Sequence, residues 1–94
     1  MAQTYSKQIE LTDTTDGHKI DYSTFGETTY MSFKYFRIHS VSTGTLSFKF
    51  GTTDDWIDID AAEYPVIFND SIRFNEIYLK PSTTLNVNLV AFLV

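Results

Sequence analysis

The sequence predicts an all-β protein, a small two-sheet β-sandwich of jelly-roll type with about eight strands. Apolar and polar residues alternate over short stretches, and no segment has the 3.6-residue period of an amphipathic helix. Eight Phe, six Tyr and only two Pro are typical of strands. Turn residues also recur every ~8–12 residues, which is the spacing found in sandwiches. We expect residues 1–94 to form one domain with one core.

Turn chemistry places the strand boundaries. Gly17, Gly26, Gly44 and Gly51 stand at expected turns, and Pro81 ends an apolar run. Residues 61–63 allow one helical turn, and residues 71–94 are expected to form a hairpin-like unit. The expected strands cover residues 4–12, 18–25, 28–41, 46–50, 56–60, 66–68, 71–80 and 85–94. The expected core includes Phe48, Phe50, Ile72, Phe74, Leu85, Val87 and Leu89.

Two segments carry apolar residues on both parities, and they predict self-association. Residues 30–38 have large apolar side chains at odd and at even positions, and residues 89–94 do the same. A sandwich of this size has one interior, so the second faces are expected to be covered by another subunit. The candidate interface residues are Tyr30, Phe36, Ile38, Val90, Phe92 and Val94.

The charge distribution argues against nucleic acid as a partner. The net charge is −5, and the excess of acids lies in residues 51–94. The basic residues are dispersed along the predicted strands, whereas a phosphate-binding protein needs a Lys/Arg face. No apolar run is long enough to span a membrane, and the amino-terminal residues do not have the pattern of a signal peptide.

Catalytic and metal-binding patterns are also missing from the sequence. The only histidines are His18 and His39, there is no Cys, and no nucleophile motif or phosphate-binding glycine loop occurs. The acids between Asp54 and Asp70 do not have the spacing of a calcium loop. We therefore expect neither catalysis nor a metal or cofactor.

One alternative function is carbohydrate or receptor binding. Trp56 and Tyr64 could stack against a sugar, with Asp58 and Asp60 bonding its hydroxyl groups. The commoner role of such a Trp is to pack into the core. A lectin would bind glycans through exposed aromatic rings, whereas an assembly protein would form a fixed oligomer without ligand.

The segments WIDIDAAEYP and PVIFNDSIRFNEIYLKPSTTLNVNLVAF together resemble the end of small β-sandwich virion proteins of tailed bacteriophages. One departure is that Ala62 or Glu63 stands where a Gly is often found. The matching positions are Ile57, Ile59, Ala61, Ala62, Phe68, Ile72, Phe74, Ile77, Tyr78, Leu79, Lys80, Leu85, Val87, Leu89 and Ala91.

The resemblance implies a non-enzymatic structural subunit, of capsid-decoration, head-fibre or tail type. Such a subunit would be made in the host cytoplasm, act in the virion and contact other virion proteins. By analogy with small phage sandwiches, a trimer is the expected oligomer.

Overall fold

The computed structural model describes residues 3–69 and 74–94, which form two packed four-stranded antiparallel sheets. Two 3-10 turns cover Tyr22–Phe25 and Ala61–Glu63, and the described residues contain no α-helix and hence none that could cross a membrane. The strands are β1 (Gln3–Leu11), β2 (His18–Ile20), β3 (Phe33–Val41), β4 (Leu46–Lys49), β5 (Ile57–Ile59), β6 (Val66–Phe68), β7 (Ile77–Pro81) and β8 (Leu85–Leu93).

The strand order is that of a jelly roll. Sheet 1 has the order β1-β8-β3-β6, and sheet 2 has the order β2-β7-β4-β5. Every connection except the one between β4 and β5 therefore passes from one sheet to the other, as in a double Greek key. The predicted fold class is confirmed.

The carboxyl-terminal unit is not the hairpin that the sequence predicts. β7 belongs to sheet 2 and β8 to sheet 1, so residues 82–84 cross between the layers. This crossing packs against the connection between β3 and β4, where Ser82 N donates to Thr45 O and Thr45 N donates to Ser82 Oγ, both at 2.9 Å. Gly44 has φ +68, and a Cβ there would lie 2.8 Å from Ser82 Oγ.

The second strand is shorter than expected because a capped turn replaces its end. The Asp21 carboxylate accepts a hydrogen bond from Ser23 N at 2.9 Å, and Asp21 N donates to Thr24 Oγ1 at 3.1 Å. This capping box starts a 3-10 turn, which Gly26 ends in the left-handed conformation with φ 87.

Two irregularities in β3 explain its ambiguous parity. The register against β8 shifts between Phe33 and Tyr35 and again between Ile38 and Ser40. At each shift the next inward-facing apolar residue comes three positions later instead of two, as from Phe33 to Phe36 and from Ile38 to Val41. Consequently Phe33, Phe36 and Ile38 all point into the core, and each is completely buried.

An aromatic cluster fills one part of the core. Phe33 and Phe74 stack with their ring centres 4.9 Å apart, and Phe50 packs edge-on against Phe74 at 5.1 Å. The expected core positions Leu85, Val87 and Leu89 are buried, which confirms them. By contrast, Phe48, Phe50 and Phe74 are only partly buried against the core, and Ile72 lies outside the described residues.

Candidate functional site

The outer face of sheet 1, which points away from the core, is divided into a polar half and an apolar half. In the polar half, Gln8 Nε2 donates to Asn88 Oδ1 at 3.1 Å, and Asn88 Nδ2 donates to Ser40 Oγ at 2.9 Å. These bonds join β1, β8 and β3 and hold the two amides in fixed positions. This half therefore presents an ordered row of hydrogen-bonding groups.

The apolar half consists of four side chains that we call the outer apolar strip: Tyr35, Ile67, Val90 and Phe92. In the strand register, Tyr35 pairs with Phe92 and Arg37 pairs with both Ile67 and Val90. Ile67 is 48% exposed and the other three are half-buried. No layer of the described chain covers this strip, and Lys34 Nζ lies at its border, 6.0 Å from the centre of the Phe92 ring.

Two of the predicted interface residues lie beyond the end of this strip. Tyr30 is 62% exposed and Val94 is 41% exposed, and both line a cavity of about 240 Å³. The two residues are held close together because Ser32 and Val94 exchange both backbone hydrogen bonds at 2.9 Å. Tyr30 and Val94 thus remain available for contact with a partner.

The assignment of Phe36 and Ile38 to an oligomer interface is wrong. Both side chains have 0% exposure and lie in the chain's own core. The physical reason is the register shift between Phe33 and Tyr35, after which Phe36 and Ile38 face inward on the same side as Phe33. Of the predicted interface residues, Tyr30, Val90, Phe92 and Val94 keep exposed surface.

Arg37 lies at the border between the polar and the apolar half. Its Nε atom is buried and has no hydrogen-bond partner in the described residues. The guanidinium group borders a cavity of about 280 Å³, which is also lined by Ser6, Gln8, His39, Asn88 and Val90. Lys7 belongs to the same lining, and one N–H of its amine donates to Thr24 O at 3.0 Å.

Trp56 lies on the outer face of sheet 2, where two lysines accompany its ring. The Nζ atoms of Lys49 and Lys80 are 4.5 Å and 4.7 Å from the ring centre. These are cation–π contacts, and they cover a surface that a sugar would need for stacking. Lys19 also lies on this outer face, so the fold brings together three lysines that are dispersed in the sequence.

The fold gives the four candidate glycan residues separate environments. No ring contact or hydrogen bond joins Trp56 to Tyr64, Asp58 or Asp60 in the described part of the chain. Asp58 accepts a hydrogen bond from Ser47 Oγ, and Asp60 N donates to Glu63 Oε1 at 3.2 Å. Among the described residues the buried Tyr64 hydroxyl has no hydrogen-bond partner, and burial raises the pKa of Tyr64 above the usual value.

The histidines and acids of the described residues do not form a metal site, and His18 has a structural role. His18 Nε2 accepts hydrogen bonds from the backbone N–H groups of Thr12 and Asp13, at 3.0 Å and 2.9 Å. His18 therefore stabilises the turn between β1 and β2. Across residues 3–69 and 74–94, no three His, Asp or Glu side chains come close enough together to hold a metal ion.

Comparison with protein-family models, curated proteins and solved structures gives no match to this chain. Functional inference therefore depends on the chemistry of the two outer faces. Sequence reasoning missed the position of Arg37, although one signal was present. In the segment FKYFRIHSV, Arg37 and His39 are polar residues two positions apart, which is the spacing of neighbours on one face of a strand.

Proposed function

We propose that this chain is a non-enzymatic assembly subunit of a bacteriophage virion that self-associates through the outer apolar strip. The observation that supports this proposal is the exposure of four apolar side chains on a sheet face that no layer of the described chain covers. Apolar residues grouped on one face mark interaction surfaces more often than isolated ones do. Tyr30 and Val94 extend the apolar surface beyond the end of β8.

The strip has the composition of an interface core. It holds two aromatic rings and two branched aliphatic side chains, while polar groups of Gln8 and Asn88 flank it. Interfaces commonly combine an aromatic centre with a polar rim. A second copy of this chain offers a matching apolar surface, and a closed ring of copies would bury it without leading to open-ended growth.

The virion part of the proposal is supported by the resemblance of residues 56–92 to phage sandwich proteins and by the jelly-roll strand order. Jelly rolls serve in viral capsids, although the same fold also serves in lectins and enzymes. The role proposed is that of a capsid-decoration, head-fibre or tail component, with a trimer as the assembly and other virion proteins as neighbours.

The test is the mass of the protein in solution, measured by light scattering at tens of micromolar. We expect an oligomer for the unchanged chain and a shift toward monomer for Ile67→Lys, which puts a charge into the strip. Ile57→Lys is the matched control, since Ile57 is 55% exposed but lies on the edge strand of sheet 2. A monomeric unchanged chain, or equal effects of both substitutions, would contradict self-association through this strip.

A further inference from the structure

The buried nitrogen of Arg37 needs an explanation. A buried N–H group without a protein partner is rare in folded proteins, and each case calls for a specific cause such as a bound water or ion. The cross-strand neighbours Val90 and Ile67 keep water away from the stem of Arg37. In the described residues, no carboxylate pairs with Arg37, since the ion pair found there joins Lys19 to Asp21 at 3.7 Å.

The groups around Arg37 determine what kind of ligand fits. The Gln8–Asn88–Ser40 hydrogen bonds leave Gln8 Oε1 unpaired, and Ser6 Oγ is also unpaired in the described chain. His39 is exposed at the same cavity. A guanidinium group binds a planar carboxylate through two parallel hydrogen bonds. Amide and hydroxyl groups bind the hydroxyls of a polar ligand.

The size of the cavity and the charges around it restrict the class of ligand further. A cavity of about 280 Å³ lies just below the usual range for ligand sites, so it suits at most one monosaccharide-sized unit. Arg37 provides one permanent positive charge, and Lys7, which also lines the cavity, directs one N–H of its ammonium group to Thr24 O. A planar carboxylate matches the fork of the guanidinium group, and the net charge of −5 disfavours a long polyanion.

We propose that Arg37 anchors a binding site for a small hydroxylated carboxylate of the uronic-acid class on the polar half of the outer face of sheet 1. Arg37 binds the carboxylate, while Gln8, Asn88 and Ser6 bind hydroxyl groups. The site adjoins the outer apolar strip and shares Val90 with it, but the groups that bind the ligand are polar, so the site goes beyond the assembly role. It also differs from a glycan site at Trp56, which lies on the opposite sheet.

The experiment uses the full chain, ¹⁵N-labelled, and follows the Nε–H signal of Arg37 by NMR. The added probes are sodium glucuronate, glucose and sodium acetate at equal concentration and ionic strength. We expect glucuronate to shift the Arg37 signal together with the side-chain amide signals of Gln8 and Asn88. Acetate should bind more weakly because it lacks hydroxyls, and glucose should leave the Arg37 signal unchanged.

Two matched variants distinguish binding at a specific site from general attraction to the positive charges of the protein. Arg37→Gln and Lys34→Gln remove the same charge from the same strand, but Lys34 does not line the cavity. Arg37→Gln should weaken glucuronate binding about tenfold to a hundredfold, as expected for the loss of a charge-assisted pair. Lys34→Gln should leave the affinity within about twofold of the unchanged chain.

Three results would overturn the proposal. The first is the absence of any shift of the Arg37 signal with glucuronate, and the second is equal weakening by Arg37→Gln and Lys34→Gln. The third is binding of acetate or glucose as tight as that of glucuronate. Equally tight binding of acetate would show that the hydroxyl groups of the ligand contribute nothing. Equally tight binding of glucose would show that the carboxylate of the ligand contributes nothing. A folded spectrum for each variant ensures that lost binding is not lost structure.

Discussion

The indole ring of Trp56 lies directly over Gly17. A Cβ atom added at Gly17 would be 2.8 Å from Trp56 Cη2 and 2.9 Å from the backbone oxygen of Leu79. Gly17 also has φ +79, a conformation that favours glycine. This glycine therefore lets the turn before β2 pass beneath the ring, while Lys49 and Lys80 contact the same ring.

Gly17→Ala should destabilise the protein more than Gly26→Ala does. Both glycines have positive φ, so each substitution should cost about 1–2 kcal/mol from backbone strain. At Gly26 nothing lies within 4 Å of an added Cβ, whereas at Gly17 the methyl group meets a ring and a backbone oxygen. That overlap should add about 1–3 kcal/mol. Urea unfolding of the two variants measures the difference, and equal losses would show that Trp56 moves aside freely.

Phe33→Ala should lower the free energy of unfolding more than Phe74→Ala does. Phe33 is completely buried, so its truncation should cost about 3–5 kcal/mol. Phe74 stacks on Phe33 but is only partly buried. Truncating it therefore leaves a smaller cavity and should cost less stability. Denaturant unfolding of the two variants checks the order. If Phe74→Ala were the more damaging, the aromatic cluster would be centred on Phe74 instead.

Tyr64→Phe should raise stability and flatten its decline at alkaline pH. The buried hydroxyl has no partner in residues 3–69 and 74–94, and its removal should increase the free energy of unfolding by about 1 kcal/mol. Burial raises the pKa of Tyr64 in the folded state, so the unfolded chain loses this proton first. The free energy of unfolding therefore falls as the pH rises above about 10, the usual tyrosine pKa.

Thermal melts of Tyr64→Phe between neutral and alkaline pH check both effects. Tyr30→Phe is the control, because Tyr30 is exposed and its hydroxyl is open to water. An unchanged alkaline decline in Tyr64→Phe would mean that other groups cause it. A lower neutral stability would mean that the hydroxyl has a hydrogen-bond partner in solution.

Local patterns in the sequence were sufficient to predict the fold class. Strict alternation from Leu85 to Leu93 identified β8 as a strand whose odd positions are buried, and the structure agrees. Alternation failed in β3, because the register shift between Phe33 and Tyr35 keeps Phe33 on one face with Phe36 and Ile38 despite its opposite parity. Such shifts are set by pairing with β8, where Phe33 pairs with Leu93 and Ser40 with Asn88, so they depend on residues far along the chain and are not visible in the local sequence.

The candidate sites were harder to predict because they join distant strands. Arg37, Gln8 and Asn88 meet only after β1, β8 and β3 are paired. In the sequence each is an isolated polar residue in a strand, which is typical of solvated faces. Asp58 and Asp60, which follow Trp56, were candidate sugar-binding residues. In the structure Asp58 accepts a hydrogen bond from Ser47, and Asp60 begins a 3-10 turn. The abundance of these acids indicated solvent exposure, and their spacing did not indicate a binding site.

The last prediction compares Phe92→Asp with Phe36→Asp, two substitutions in neighbouring strands that face opposite ways. Phe36 is completely buried, so an aspartate there carries an unpaired charge into the core and should prevent folding. Phe92 is half-buried on the outer face, so Phe92→Asp should fold. Its circular dichroism spectrum should match that of the unchanged chain.

Phe92→Asp should also shift the oligomer toward monomer, because the new charge lies in the middle of the apolar contact and loses water on association. Lys34, near the Phe92 ring, would partly compensate for the new charge, so added salt should deepen the effect. Light scattering with and without salt measures this. A folded Phe92→Asp that keeps the mass of the unchanged oligomer would remove Phe92 from the interface and leave Tyr30 and Val94 to be tested.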